Sequence, residues 1–277
     1  MNTTDLIESI IDLALAEDGE DITSNAIFGP GEDIRAVFTA RAPGVLAGTD
    51  IARLVFIRVN PVIQCSFRIH DGERVKAGDI IGSVSGPAAD VLKGERVALN
   101  FLQRMSGIAT RTAEYVSRMQ GTKARVLDTR KTAPGHRVLD KYAVRAGGGT
   151  NHRMGLWDMA LVKDNHIDRE GSLSSAVAKI RRRCPGVSVE VEARSLQDVR
   201  ELLEIGVDRI MLDNFSLQDL REAVDLVGGR VPLEASGGIT LDTARDVALT
   251  GVDYVSVGDI THSVKALDIS LTFERPS

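Results

Sequence analysis

An α/β fold is predicted, with a parallel strand–helix barrel in the second half of the chain and a smaller α+β domain ahead of it. Three observations carry this. From Lys123 onward, short apolar runs (ARVLDT, DMALVKDN, VSVEVEA, DRIMLDN, VPLEASGG and DYVSVGD) alternate with helical patterns, and strands that alternate with helices pair in parallel through right-handed crossovers. The spacing repeats: Glu192 to Asp213 is 21 residues, Asp213 to Glu234 is 21, and Glu234 to Gly258 is 24. A charged residue (Asp128, Lys163, Glu192, Asp213 or Glu234) directly follows each of five strands. In a barrel of the triosephosphate-isomerase kind those strand ends share one rim, where the βα loops build a site. Six strands are clear, and a doubly wound sheet is the structural alternative.

The elements of the first half follow from local pattern. Leu6, Ile7, Ile10, Ile11 and Leu13 make an apolar stripe, so a helix is predicted over Asp5–Ala16, with Asp5 and Glu8 as a capping box. Ile34 to Arg41 is rich in strand formers, and Gln64 to His70 alternates Cys65, Phe67 and Ile69 with polar neighbours, the period-two mark of a half-buried strand. Residues 52–57 read as a helix after Gly48. Turns at Asp71-Gly72 and Ala77-Gly78-Asp79 give hairpin chemistry. They resemble the compact turns of lipoyl-type carriers, but Lys76 lies inside a strand-turn and not at a hairpin tip, so a packing role is preferred. Glu95 to Gln120 is the longest helical pattern, weakened or bent at Gly107. The domain boundary is placed within it, giving a first domain over 1–107 and a barrel over 108–266.

Composition narrows the function. The chain of 277 residues carries 34 basic and 39 acidic side chains, a net −5, with 4% aromatic residues. Neither a basic stripe nor stacking aromatics is present, which argues against a nucleic-acid surface. No apolar run approaches the roughly 18–20 residues that span a bilayer. The acidic amphipathic amino end lacks the features of a secretory signal. Cys65 and Cys184 are far apart and read as two buried thiols in a reducing compartment. A cytoplasmic enzyme is expected, with no membrane or nucleic-acid partner.

Against this acidic background Asp128–His166 is a basic island, with seven Lys or Arg against four Asp, a surplus of +3. A solvated helix face is the common reason for such a run, but its charges would recur every three or four residues. Here Arg130-Lys131, His152-Arg153 and Lys163 are separate clusters joined by apolar and glycine-rich backbone. Such clusters can converge on one small ligand with several negative charges, since Arg forks onto carboxylate or phosphate and Lys adds a point charge. Ser236-Gly237-Gly238 and Val257-Gly258-Asp259 end the last two strands. Small residues there expose N–H groups to a phosphate. Glu192 and Asp213 do not form a mononuclear metal cage, but one or two carboxylates plus substrate oxygens are how Mg²⁺ is usually held.

The segments ERVALNFLQRMSGIAT, DTRKTAPGHRVLDKYAVRAGGGTNHRMGLWDMALVKDNHI, VEVEA, LDN, SGGI and VGDITHSVKALDISL resemble those of quinolinate phosphoribosyltransferases, with AEDGEDIT and RAPGVLAGTDIA extending the likeness toward the amino end. Two positions depart from the family pattern: Thr150, where a histidine or lysine is frequent, and Asp259, where a small residue is frequent. The resemblance implies an N-terminal α/β sandwich, joined by residues 267–277, and an open, seven-stranded TIM-like α/β barrel. It implies transfer of phosphoribose from 5-phosphoribosyl-1-pyrophosphate to quinolinate with loss of carbon dioxide. It assigns Arg130, Arg153 and Lys163 to the quinolinate carboxylates, with His152 as a further donor to them and Thr129 in the same substrate-binding run. Lys131 is assigned to pyrophosphate or the substrate carboxylate, and Glu192 and Asp213 to the ribose hydroxyls and Mg²⁺. Ser236, Gly237, Gly238, Gly258 and His262 are assigned to the 5′-phosphate. Lys131, Lys163, Glu192 and Asp213 are the catalytic set it implies. It also implies a homodimer in which Arg96 reaches the neighbour's quinolinate site, where the residues alone suggest a helix ion pair of Arg96 with Glu95. Rival readings are a molybdenum-transport-associated relative, expected to lack DTRKT and KDNH; a non-catalytic phosphosugar-binding barrel, which would not need Arg130, Arg153 and Lys163; and another barrel decarboxylase, without the first domain.

Overall fold

In the computed structural model, which describes residues 2–274, the chain opens with α1 (Thr3–Asp18) and α2 (Ile22–Ile27). Asn2 caps α1: its Oδ1 accepts from the Asp5 N–H, and the Asp5 carboxylate accepts from the Asn2 N–H. The capping box therefore lies one step earlier than the expected Asp5–Glu8 pair, because Asn2 offers a side-chain oxygen at the right offset. There follow β1 (Asp33–Ala40), β2 (Gly44–Val45), α3 (Thr49–Val59), β3 (Gln64–Phe67), β4 (Arg74–Val75), β5 (Ile80–Pro87) and the long α4 (Ala88–Arg118). Gly48 has no capping side chain, so Asp71 supplies one from a distant turn, accepting from the N–H groups of Gly48 and Thr49 at 2.8 and 3.1 Å.

The second half continues with β6 (Arg125–Leu127), α5 (Arg137–Ala146), β7 (Ala160–Val162), α6 (Asp164–Glu170), α7 (Leu173–Arg183), β8 (Val189–Ala193), α8 (Leu196–Ile205), β9 (Arg209–Asp213), α9 (Leu217–Val227), β10 (Leu233–Ser236), α10 (Ala244–Ala248), β11 (Tyr254–Ser256), α11 (Asp259–His262) and β12 (Ile269–Phe273). Helix ends here follow the usual chemistry. Ser172, Ser195 and Ser216 accept the first free N–H groups of α7, α8 and α9, and Gly171, Gly206 and Gly228 close α6, α8 and α9 in the left-handed region.

Two compact units result. The first holds residues 1–113, 132–148 and 260–277, and the second holds 114–131 and 149–259. By packing, α4 divides between residues 113 and 114, six residues after the expected 107/108 division. Residues 132–148, read from sequence as part of the barrel, belong to the first unit. The physical reason is the packing of α5, whose Asp140 is fully buried and takes a two-pronged ion pair from Arg104 of α4 at 3.0 and 2.8 Å.

In the first unit an antiparallel sheet runs β12–β1–β5–β3. The carboxyl-terminal LDISLTF run returns as β12 beside β1. Ala36, Phe38 and Ala40 of β1 are buried, and Phe38 meets Phe56 of α3 and Phe67 of β3 with ring centroids 6.2 and 5.0 Å apart. Helices on a sheet face give the α/β sandwich. Of the two cysteines expected to be buried, Cys65 is half-buried, its thiol pushed up to about 12 by burial, whereas Cys184 is exposed as the C-cap of α7.

The second unit is a parallel sheet of six strands among the described residues, in the order β6–β11–β10–β9–β8–β7. All six strand runs read from sequence are present. The seventh position of the implied barrel is reduced to one residue: Thr150 forms an isolated parallel bridge with Leu127 of β6. Residues 151–159 then lead from that edge of the sheet to β7 at the other. All five residues of β8 are buried, as expected of a parallel strand covered on both faces.

Gly107 does not break α4. A Cβ there would overlap the Lys265 carbonyl oxygen, so the glycine permits close approach of the backbone before β12. In a free helix Gly107→Ala would add about 1 kcal/mol of stability. Here the collision reverses the sign, and we expect a net loss of roughly 1–3 kcal/mol. Urea unfolding checks this: a raised midpoint would show that the two segments separate without cost.

Candidate active site

Strand alternation decides which side chains share a face. Glu190 and Glu192 of β8 alternate with Val189, Val191 and Ala193, and Glu234 and Ser236 of β10 alternate with Leu233 and Ala235. Register sets Glu190 opposite Arg209 on β9, both Glu192 and Glu234 opposite Met211, and Ser236 opposite Asp213. Register places Glu234 level with Glu192, so burial and contacts are what divide the polar set in two. Glu192, Asp213 and Ser236 lie toward the carboxyl ends of their strands. Glu190, Arg209 and Glu234 lie deeper, Glu190 and Glu234 with no exposed surface.

The deeper level is a closed charge network. His152 is buried, its Nε2 2.9 Å from Glu190 Oε2 and 3.4 Å from Glu234 Oε2. Arg209 lies 3.3 Å from Glu234 and 4.0 Å from Glu190, with its guanidinium 4.5 Å over the Tyr254 ring. Ser256 Oγ donates to Glu234. Burial pushes the Glu190 carboxyl up to about 7, whereas Glu234 is held low despite burial by its contacts with His152 and Ser256. Burial alone would lower the His152 pKa, but the two carboxylates outweigh it and raise it to about 9. Their pull acts on the proton at Nε2. The Arg153 N–H donates to the other nitrogen, Nδ1, at 2.7 Å; this contact requires the neutral Nε2–H ring and so opposes the second proton that the two carboxylates favour. His152 was expected to donate to a substrate carboxylate. Instead both of its ring nitrogens are engaged within the chain.

Asp128 is also not a free charged group of the rim. It is fully buried at the end of β6, where it accepts from the His152 N–H at 2.8 Å and from the Asn151 side chain. Glu234, the other supposed rim charge, belongs to the deep network. The signal for this was in the sequence: Glu190 and Glu192 are two apart in VEVEA, so one face of β8 carries both.

The upper level is arranged for anions. Arg153 is buried and donates to the Met159 carbonyl at 3.0 Å. Burial first, and the positive charge of Arg130 second, hold the Arg153 guanidinium below its ordinary pKa. Glu190, Glu192 and Asp158 pull the other way, so Arg153 sits among charges of both signs. Lys163, at the end of β7, reaches Glu192 Oε1 at 2.6 Å. Exposed Lys131 donates its N–H to Thr129 Oγ1 at 3.0 Å, shaping the turn after β6.

At the phosphate-type loop, Gly237 has φ of 105° and Gly238 of 59°. A Cβ on Gly237 would overlap the Asn214 amide oxygen, and Asn214, with φ of 57°, is the one non-glycine among the described residues in the left-handed region. Asn214 Nδ2 donates to Asp213 at 2.9 Å. Gly258 follows β11, and next to it the Asp259 carboxylate accepts from the hydroxyl of fully buried Tyr115 at 3.0 Å. The charge at Asp259, one of the two departures from the family pattern, is thereby tied inward. Arg96, exposed on α4, and His262, with Nδ1 2.7 Å from Ser263 Oγ, belong to the first unit, and the other expected site residues belong to the second.

Glu192 and Asp213 offer carboxylate oxygens from adjacent strands, a hard donor set that fits Mg²⁺. Among the described residues, the group compact enough to surround an ion by itself is His152–Glu190–Glu234. There Arg209 already supplies counter-charge. An ion at Glu192 and Asp213 would need oxygens from a substrate.

Known proteins agree with this geometry. Residues 21–106 match the N-terminal domain of quinolinate phosphoribosyl transferase and residues 108–272 match its C-terminal domain. The nicotinate-nucleotide pyrophosphorylase [carboxylating] of Mycobacterium leprae is 44% identical over 275 residues, covering 96% of this chain and 97% of that one. A chloroplastic protein of the same description from Arabidopsis thaliana is 42% identical, covering 97% of this chain and 83% of its own length. Among solved structures, NadC from Streptococcus pyogenes superposes with a TM-score of 0.94 at 41% identity, covering 99% of each chain. With both domains matched in order and likeness along nearly its whole length, the chain belongs to the quinolinate phosphoribosyltransferase family.

Proposed function

We propose that the chain transfers the phosphoribosyl group of 5-phosphoribosyl-1-pyrophosphate to quinolinate in the cytoplasm, releasing pyrophosphate and carbon dioxide and leaving nicotinate mononucleotide, a step of pyridine nucleotide and NAD biosynthesis. The observation that carries this is the buried Arg153 beside Arg130. A dicarboxylate would bring two anionic groups to the cluster of Arg153, Arg130 and Lys163. The loop Ser236-Gly237-Gly238, with Gly258, suits the 5′-phosphate. Lys131 suits the pyrophosphate.

The chemistry needs little beyond positioning and charge. Displacement at the anomeric carbon has oxocarbenium character, which the Glu192 and Asp213 carboxylates stabilise while they orient the ribose hydroxyls. Quinolinate releases Lys163 from Glu192, so substrate binding frees the acid for this task. Mg²⁺, when bound by Glu192, Asp213 and substrate oxygens, neutralises charge on the departing pyrophosphate. Once the ring nitrogen is alkylated it is cationic, and the electron pair left by carbon dioxide is stabilised beside it. We further propose a homodimer in which Arg96 of one subunit completes the quinolinate site of the other. The exposure of Arg96 supports this.

Incubating the protein with both substrates and following nicotinate mononucleotide tests the assignment, and efficient turnover of nicotinate in place of quinolinate would point to another pyridine acid. Arg153→Ala should lower kcat/KM by about 2–5 kcal/mol, roughly 30- to several-thousand-fold, as expected for losing one partner of a desolvated charge pair. Lys163→Ala should act in the same direction; wild-type rates in either variant sink these roles.

EDTA should abolish turnover and added Mg²⁺ restore it. Glu192→Ala and Asp213→Ala should weaken binding of the pyrophosphate sugar more than that of quinolinate. Full activity in metal-free buffer overturns this part.

Arg96→Ala and Lys163→Ala homodimers should both be inactive, yet refolding them together should restore about a quarter of wild-type activity, since half the dimers hold one intact site of two. No recovery, with heterodimers demonstrably formed, means that Arg96 does not act across subunits.

A further inference from the structure

We propose that His152 is a positioning residue and not a substrate ligand, and that Glu190, Glu234 and Arg209 act through it to hold Arg153 where a substrate carboxylate must meet it. This rests on the quinolinate reading above only for the identity of that carboxylate.

The geometry makes the connection through a chain of contacts centred on the His152 ring. Asp128, at the end of β6, accepts from the His152 N–H at 2.8 Å and fixes the backbone just before the ring. The ring extends from residues 151–159 to two strands that are not neighbours, with Nε2 2.9 Å from Glu190 on β8 and 3.4 Å from Glu234 on β10. Arg209, on the strand between them, lies 3.3 and 4.0 Å from the same two acids. The other nitrogen, Nδ1, accepts from the N–H of the next residue, Arg153, at 2.7 Å. The ring therefore fixes the position of the Arg153 backbone from below, while the Met159 carbonyl fixes its guanidinium at 3.0 Å.

This arrangement has a reason in the fold. Thr150 makes a single bridge, and no regular strand follows until Ala160. Residues 151–159 lack a ladder of their own, and an arginine carried on such a segment has no intrinsic order. Side-chain contacts into the sheet supply it. Arg209 offsets one of the two acids without reaching residues 151–159; a histidine spanning both acids ties that segment to them.

Glu190→Gln and Glu234→Gln keep side-chain shape and remove charge. Trp157 is the one tryptophan in the chain and lies exposed within the segment. Its time-resolved fluorescence anisotropy reads the segment's order without turnover. The expected result is at least about a twofold larger fast-decaying component in each variant, with KM for quinolinate raised about tenfold while kcat and KM for the pyrophosphate sugar stay within about threefold. Lys163→Ala, which leaves these contacts intact, should not change the anisotropy. Wild-type anisotropy and quinolinate KM in both glutamine variants overturn the proposal. So does a lowered melting temperature with both KM values raised alike, which is the mark of mere core filling. If a glutamine variant does not fold, His152→Asn carries the same comparison. If the wild-type protein does not turn over quinolinate, the proposed function fails on its own, and the anisotropy still decides whether the network orders the segment.

Discussion

Carboxylates inside a sheet must be compensated, and much of the second unit is arranged around that requirement. Alternation along β8 cannot turn Glu190 outward without also turning Glu192 outward, because residues two apart share a face. Keeping Glu192 available for chemistry therefore places Glu190 deep among buried atoms. An unpaired charge there would be costly. Arg209 and His152 meet it, and Glu234 joins from β10 with Ser256 as a second partner. The interior is polar where a barrel of this kind usually stacks branched apolar side chains.

That network and the anion-binding groups above it are joined through the chain between Thr150 and Ala160. Arg153 links the two: its backbone N–H meets the His152 ring and its guanidinium the Met159 carbonyl. Lys163 waits on Glu192, so the groups assigned to quinolinate and to ribose hold each other until substrates separate them.

The strands were legible because each is a short apolar run ending in a charge, and their spacing reported one βα unit at a time. The level at which each charge sits was not legible in the same way. Asp128 and Glu234 end apolar runs as Lys163, Glu192 and Asp213 do, but they are consumed by backbone and by a neighbouring histidine. Burial and side-chain partners separate the two classes, since register sets Glu234 level with Glu192. The placement of residues 132–148 was hidden for a related reason: α5 follows a barrel strand in sequence, but its buried Asp140 is satisfied by Arg104 of α4. Cys184 looked like a core thiol by type, and its exposure follows from its place at the end of α7. Thr150 stood out as a departure from the family pattern, while its single bridge in the seventh strand position depended on contacts that no local pattern encodes.

Gly237 and Asn214 occupy the same few ångströms from two successive βα turns. Any side chain at 237 would strike the amide of 214, and the amide of 214 in turn steadies Asp213. Inheritance at these two positions is therefore ordered. A lineage could enlarge residue 237 only after residue 214 had already shrunk, and that first change would pass through an intermediate whose Asp213 had lost its neighbour. The loop is confined by the sequence of steps needed to leave its present state.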